Sequence, residues 1–147
     1  MKAYSMKKFG NDGFSISFRV NNEREWRYIL KELKSFLKSK FEKHIKNISF
    51  HRDDFGLSPY SQNYTFKKKF NNKNVKIGNF IIKKGKEFSK NVYYQNKFYR
   101  KDFYQSFLIY INPYKNKLKD QVNFSNPKVR DKIFDYFESK YQPSKKN

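Results

Sequence analysis

The chain has 147 residues, no cysteine and a formal charge of +21, from 34 Lys and Arg against 13 Asp and Glu. The length fits one domain, and the missing thiols exclude disulfides and thiolate metal sites. Aromatic residues reach 20%, so a folded core built largely from Phe and Tyr is expected.

Residues 1–13 read as a flexible basic arm ending in the turn Gly10-Asn11-Asp12-Gly13. In FSISFRV, Phe14, Ile16, Phe18 and Val20 alternate with Ser15, Ser17 and Arg19, the period of a half-buried strand. The next segment is the clearest helix, about 22–41. Asn22 can cap it, and Glu25 stands three residues on, as in a capping box. At 100° per residue, Trp26, Ile29, Leu30, Leu33, Phe36, Leu37 and Phe41 share an apolar arc. Arg24, Arg27, Lys31, Lys34 and Lys38 fall on the opposite side.

NISFH, 47–51, reads as a strand and RDDFGLSPYSQN as a loop. YTFKKKF and VKIGNFII, joined by NNKN, read as a hairpin in which Gly78 marks a bulge. KKGKEFSKN, 83–91, is expected to be a basic loop. KNVYYQNKFYRKDFY, 90–104, holds six rings and four Lys or Arg, and its periodicity fits neither strand nor helix well; most of its rings read as core or half-core, with at least one of Tyr93-Tyr94 and one of Phe98-Tyr99 near the surface. SFLIYI, 106–111, reads as a buried central strand, and NPYKNKLKDQVNF as a Lys-rich connection. Asn126 and Pro127 begin a helix at about 127–141 with Val129, Ile133, Tyr136, Phe137 and Tyr141 on its apolar side; 142–147 reads as a frayed tail. The expected fold is a single α+β domain over 14–141, an antiparallel or mixed sheet packed by these two helices.

Enzyme signatures are sparse. Two His and no Cys argue against zinc, and no Gly-rich phosphate loop is present. His51-Arg52-Asp53-Asp54 is the one local cluster with acids and a base, and it reads better as a turn than as a catalytic centre. No catalytic residue, metal or cofactor is assigned. The N-terminus lacks the apolar core of a secretory signal, and no apolar run approaches the ~20 residues that span a bilayer. The expected location is the cytoplasm, or the host cytoplasm for a viral protein.

The charge points to a polyanion. AT-rich codons favour Lys over Arg, yet they do not account for the shortage of acids. The expected partner is nucleic acid, DNA or RNA, held mainly through phosphates by Arg24, Arg27, Lys31, Lys34 and Lys38 on the helix. Lys90, Lys97, Arg100 and Lys101 extend that set, with Tyr94 and Tyr99 stacking on bases. The RNP1 pattern of RNA-recognition motifs is absent, and no helix-turn-helix is evident. Size and composition suit an accessory protein of an AT-rich mobile element, plasmid or phage. The alternatives are an inhibitor or interaction protein docking on an acidic protein or nucleoprotein complex, and a small basic metal-independent ribonuclease.

Overall fold

Phe14, Ile16 and Phe18 alternate with small or polar neighbours, so one face of their strand must be covered. In the computed structural model that cover is two helices. The structure describes residues 1–44, 48–52, 61–70, 72–113, 128–143 and 145–146, with side chains over 1–40, 67, 69, 72–73, 78–111 and 128–143.

The chain runs β1 (Ser5–Phe9), β2 (Gly13–Arg19), α1 (Glu23–His44), β3 (Ile48–Arg52), β4 (Ser61–Phe70), β5 (Lys73–Tyr94), β6 (Lys97–Pro113), α2 (Lys128–Tyr141) and β7 (Lys145–Lys146). Among the described residues these strands form one sheet in the order β3-β4-β5-β6-β2-β1-β7. Every pair is antiparallel except β1 with β7. This is the expected α+β fold, with a mixed sheet and two packing helices.

SFLIYI lies in β6 at the centre of the sheet. Phe107, Ile109 and Ile111 are fully buried, while Leu108 and Tyr110 on the other face are partly exposed. Phe14, Ile16 and Phe18 of β2 and Phe80 and Ile82 of β5 continue the buried face. From α1, Trp26, Ile29, Leu30, Leu33 and Leu37 are buried as their spacing requires, and Phe36 is partly buried; the Phe41 side chain lies outside the described residues. Edge-to-face rings join the helices, Phe36 to Phe137 at 5.1 Å and Phe36 to Tyr141 at 6.0 Å. Phe134 of α2 is buried although the helical reading omitted it, and Val129 and Tyr136 are only partly so.

Capping of α1 is as expected with one shift. Asn22 Oδ1 accepts from the Glu25 amide at 3.0 Å, but the Glu25 carboxylate reaches back to the Asn21 backbone N–H and side-chain amide, one residue before the cap.

Residues 1–13 are not a flexible arm throughout. The turn Gly10–Gly13 closes a hairpin, Met6 pairs with Ile16, and Ala3 and Met6 are buried. Arg130 of α2, itself buried, fixes that turn by donating from Nη1 to the carbonyls of Phe9, Gly10 and Gly13. Its Nε bonds Asp131 at 2.8 Å and, with Lys8 beside it, holds that carboxyl below its usual range. The tail is likewise not wholly frayed, since Lys145 and Lys146 pair with Ser5 and Met6.

The expected β4–β5 hairpin forms, and β5 begins at Lys73, two residues before the start of VKIGNFII. Phe66 pairs with Gly78 and Lys67 with Lys76, which places the bulge beside Gly78. The expected basic loop at 83–91 is instead continuous β5. Its partner β6 pairs with it on both sides of a bulge at Gly85 and Lys86, and this backbone pairing outweighs the local polarity. Asn126 and Pro127, most of the 52–63 loop and most of the 112–124 connection lie outside the described residues.

Candidate nucleic-acid interface

The stretch 90–104 has mixed periodicity because both faces of it are reachable by solvent. It forms the end of the β5–β6 hairpin, turning at Gln95 and Asn96, both with positive φ (50° and 64°). A two-residue loop with positive φ at both positions is a type I′ turn, whose twist matches the flanking strands. β2 leaves β6 after the Arg19–Tyr104 pair, and β4 leaves β5 after Ser61–Lys83. Beyond those points, apart from the Val20 N–H that donates to the Phe103 carbonyl at 2.9 Å, the two strands pair only with each other among the described residues. The seven residues 97–103 make this arm project about 20 Å past the end of β2 at ~3.3 Å per residue.

Two irregularities shape it. Gly85 and Lys86 bulge opposite Ser106, where Gln105 Nε2 donates to the carbonyls of Gly85 (2.9 Å) and Ser106 (2.8 Å). A Cβ on Gly85 would lie 3.2 Å from both the Leu108 side chain and the Ser106 carbonyl, so the bulge favours glycine. Nearer the tip, Val92 pairs with Arg100 and Tyr93 with Phe98, leaving Tyr99 as the extra residue.

Five of the six rings are exposed: Tyr93, Tyr94, Phe98, Tyr99 and Phe103 keep between 55% and 67% of their surface in water. Tyr93 and Phe98 meet edge-to-face at 6.3 Å, and the Arg100 guanidinium lies 5.5 Å from the Tyr99 ring. Tyr104 is the exception. It is buried in a small cluster on the sheet face opposite the helices, stacked on Phe88 at 5.0 Å and 4.4 Å from Tyr4. Lys90 lies over the Tyr4 ring at 4.9 Å. Lys97 and Lys101 are exposed.

The α1 residues sit elsewhere. Arg24, Arg27, Lys31 and Lys38 are exposed on the outer side of α1, and Lys34 is half-buried. Arg27 bonds Glu23 at 2.8 Å, and Lys34 and Lys38 have partners within the fold. This stripe and the Lys90–Arg100 side of the arm lie on opposite sides of the sheet and do not make one flat surface. Arg24 lines, with Arg19, Glu25, Met1 and Tyr28, a cleft of about 450 Å³ at the end of β2.

A larger open cleft, about 650 Å³, lies between the N-terminus of α1 and the arm, lined in part by Trp26, Lys84, Phe103 and Gln105. Glu23 and Glu87 also line it, and Lys84 is ion-paired to Glu87 at 2.8 Å while lying over Trp26 at 4.6 Å. Its two acids make it a poor phosphate site.

Arg19 and Asp102 escaped the sequence reading. Asp102 is buried, and its Oδ1 accepts from Arg100 Nε and is ion-paired with Arg19 Nη2, each at 3.0 Å. A signal existed, because Asp102 is the one acid between Glu87 and Asp120. His51 and Arg52 fall in β3, but their side chains, and Asp53 and Asp54 altogether, lie outside the described residues. No group of three or more His, Cys, Asp or Glu among the described residues is arranged to hold a metal, and no described helix is long and apolar enough to cross a membrane. No protein family, curated protein or solved structure matches the chain.

Proposed function

We propose that this protein binds nucleic acid without catalysis, mainly through phosphates, with exposed rings of the β5–β6 arm stacking on unpaired bases. The observation that carries this reading is the concentration of exposed rings on a basic, projecting arm: Tyr93, Tyr94, Phe98, Tyr99 and Phe103 beside Lys97, Arg100 and Lys101. Exposed apolar surface gathered in one place marks an interaction site, and each ring–base stack is worth about 1–3 kcal/mol. The charge of +21 supplies the counterion-release term that every polyanion shares. Six Arg against 28 Lys favours backbone contact over base-edge readout, which draws on the bidentate guanidinium. Composition alone supports an accessory role in an AT-rich mobile element or phage.

A second reading, docking on an acidic protein, is favoured by one feature. Both edges of the arm present backbone groups with no strand beside them among the described residues, which suits strand addition. Incubation with labelled RNA and DNA, with and without EDTA, separates the readings. A mobility shift that weakens with salt and leaves the strands intact supports the proposal. Cleavage in either condition overturns it in favour of a nuclease. Neither shift nor cleavage overturns it in favour of a protein partner.

A further inference from the structure

Asp102 is an acid buried in the most basic part of the arm, held by two guanidinium groups rather than one. One arginine is enough to neutralise a carboxylate. The second adds a positive charge, and the side chains of Arg19 and Arg100 each keep about half their surface in water (50% and 47%). A buried ion pair of this kind contributes little net stability but fixes geometry. Here it fixes two planar forks from different strands on one oxygen atom. Each guanidinium spends a single nitrogen on Asp102, and the remaining N–H groups have no other described partner.

The surroundings extend the charge. Lys90 is the cross-strand partner of Asp102. Its Nζ lies over the Tyr4 ring, so two guanidinium groups hold the carboxylate and a third cation stands on the neighbouring strand, an excess of two positive charges. Arg100 also lies beside the exposed Tyr99 ring, and Arg19 shares its cleft with Arg24.

We infer that Arg19 and Arg100, positioned by Asp102, form a phosphodiester clamp at the base of the arm. It grips the backbone of the same strand whose bases meet the arm's rings. This rests on the nucleic-acid reading and deepens it. The strand runs along the arm on the sheet face opposite the helices, crosses the end of β2 at Arg19, and avoids the acidic cleft at the start of α1. Two guanidinium forks held a fixed distance apart suit a tetrahedral phosphate with two free oxygens, which a lysine point charge matches less well. Asp102 is a positioning residue and touches no ligand.

The test uses the full chain and labelled oligothymidylate, followed by fluorescence anisotropy over a salt series, with circular dichroism to confirm folding. Arg19→Gln and Arg100→Gln should each weaken binding several-fold and reduce the salt slope by about 0.7 for a single strand. Arg19→Lys and Arg100→Lys keep the charge, so a simple charge count leaves affinity unchanged. The clamp requires at least a threefold loss with the slope preserved. Asp102→Asn removes a negative charge, so bulk electrostatics tightens binding, whereas loss of positioning weakens it. Should Asp102→Asn fail to fold, the Arg→Lys pair still decides. Wild-type binding with unchanged affinity in both Arg→Lys variants overturns the clamp and leaves nucleic-acid binding standing. Absence of wild-type binding at low salt removes the reading beneath it. Equal capture by phosphatidylserine vesicles, lost in the same Arg→Lys variants, assigns the clamp to a lipid headgroup and overturns the strand proposal.

Discussion

Arg130 on α2 donates from Nη1 to the Gly13 carbonyl at 2.8 Å, across 117 residues of sequence, and the same nitrogen reaches the carbonyls of Phe9 and Gly10 at 3.1 Å. The first hairpin is thereby tied to the last helix, and three carbonyls of a tight turn lose their common donor if this side chain is removed. Arg130→Ala is expected to destabilise the protein by about 1.5–3 kcal/mol, the range for hydrogen bonds involving a charged group. Urea unfolding followed by circular dichroism measures it. A loss under about 0.5 kcal/mol, the scatter of neutral surface changes, would show that the turn holds itself.

Leu33 is fully buried on α1 in the cluster that includes Phe107 and Ile109. Leu33→Ala should cost about 2–5 kcal/mol, combining lost transfer energy with the cavity left behind. The same unfolding measurement reads this, and a small change would mean that α1 can close over the gap.

Burial, joined by the Glu32 carboxylate, pushes the Tyr141 phenol above its usual value of 10.0. The unfolded chain releases this proton from about pH 10 upward while the folded chain retains it, so the unfolded state binds fewer protons there and stability falls as pH rises. Below that pH both states hold the proton and the group adds no slope. Tyr141→Phe should therefore make the alkaline decline shallower, by up to about 1.4 kcal/mol per pH unit. Parallel unfolding series for the two proteins, compared above and below this range, check it. Identical slopes would show that Tyr141 ionises freely in the folded state.

Much of the fold was legible because period and burial agree. β2, the apolar arc of α1 and the alternation around Phe107 follow directly from covering one face of a sheet. The β5–β6 arm was harder to read. Neither face of it is buried against a helix, so no apolar alternation marks it, and its strand character comes from backbone pairing between residues such as Lys90 and Asp102. The basic run 83–91 reads as a loop for the same reason. For the candidate site, the six rings of 90–104 read mostly as core with a stacking surface beside them, whereas only Tyr104 is buried and the other five, Tyr94 and Tyr99 among them, are exposed, because no helix covers the arm. The Arg19–Asp102 ion pair depends on strand register, which joins residues far apart in sequence and leaves no local pattern.

The arm and the α1 stripe make different demands on charge. Lys97→Gln, Arg100→Gln and Lys101→Gln together should reduce the single-strand salt slope by about two, at ~0.7 for each phosphate no longer neutralised. Lys31→Gln, Lys34→Gln and Lys38→Gln together should reduce it by less, because α1 lies across the sheet from the Lys90–Arg100 face. A larger effect from the helix set would move the binding face to α1.

The most direct test of the account is anisotropy of a labelled single strand, titrated with wild type and with the double variant Tyr94→Ser, Tyr99→Ser over a salt series. Both rings are exposed, so folding should be unaffected. Removing them leaves every charge in place. The account predicts tight, salt-sensitive binding by the wild type, and a loss of about tenfold or more in the variant from the absence of one to two stacks, with an unchanged salt slope. Equal affinity of the two proteins, or no binding by the wild type at low salt, would contradict it.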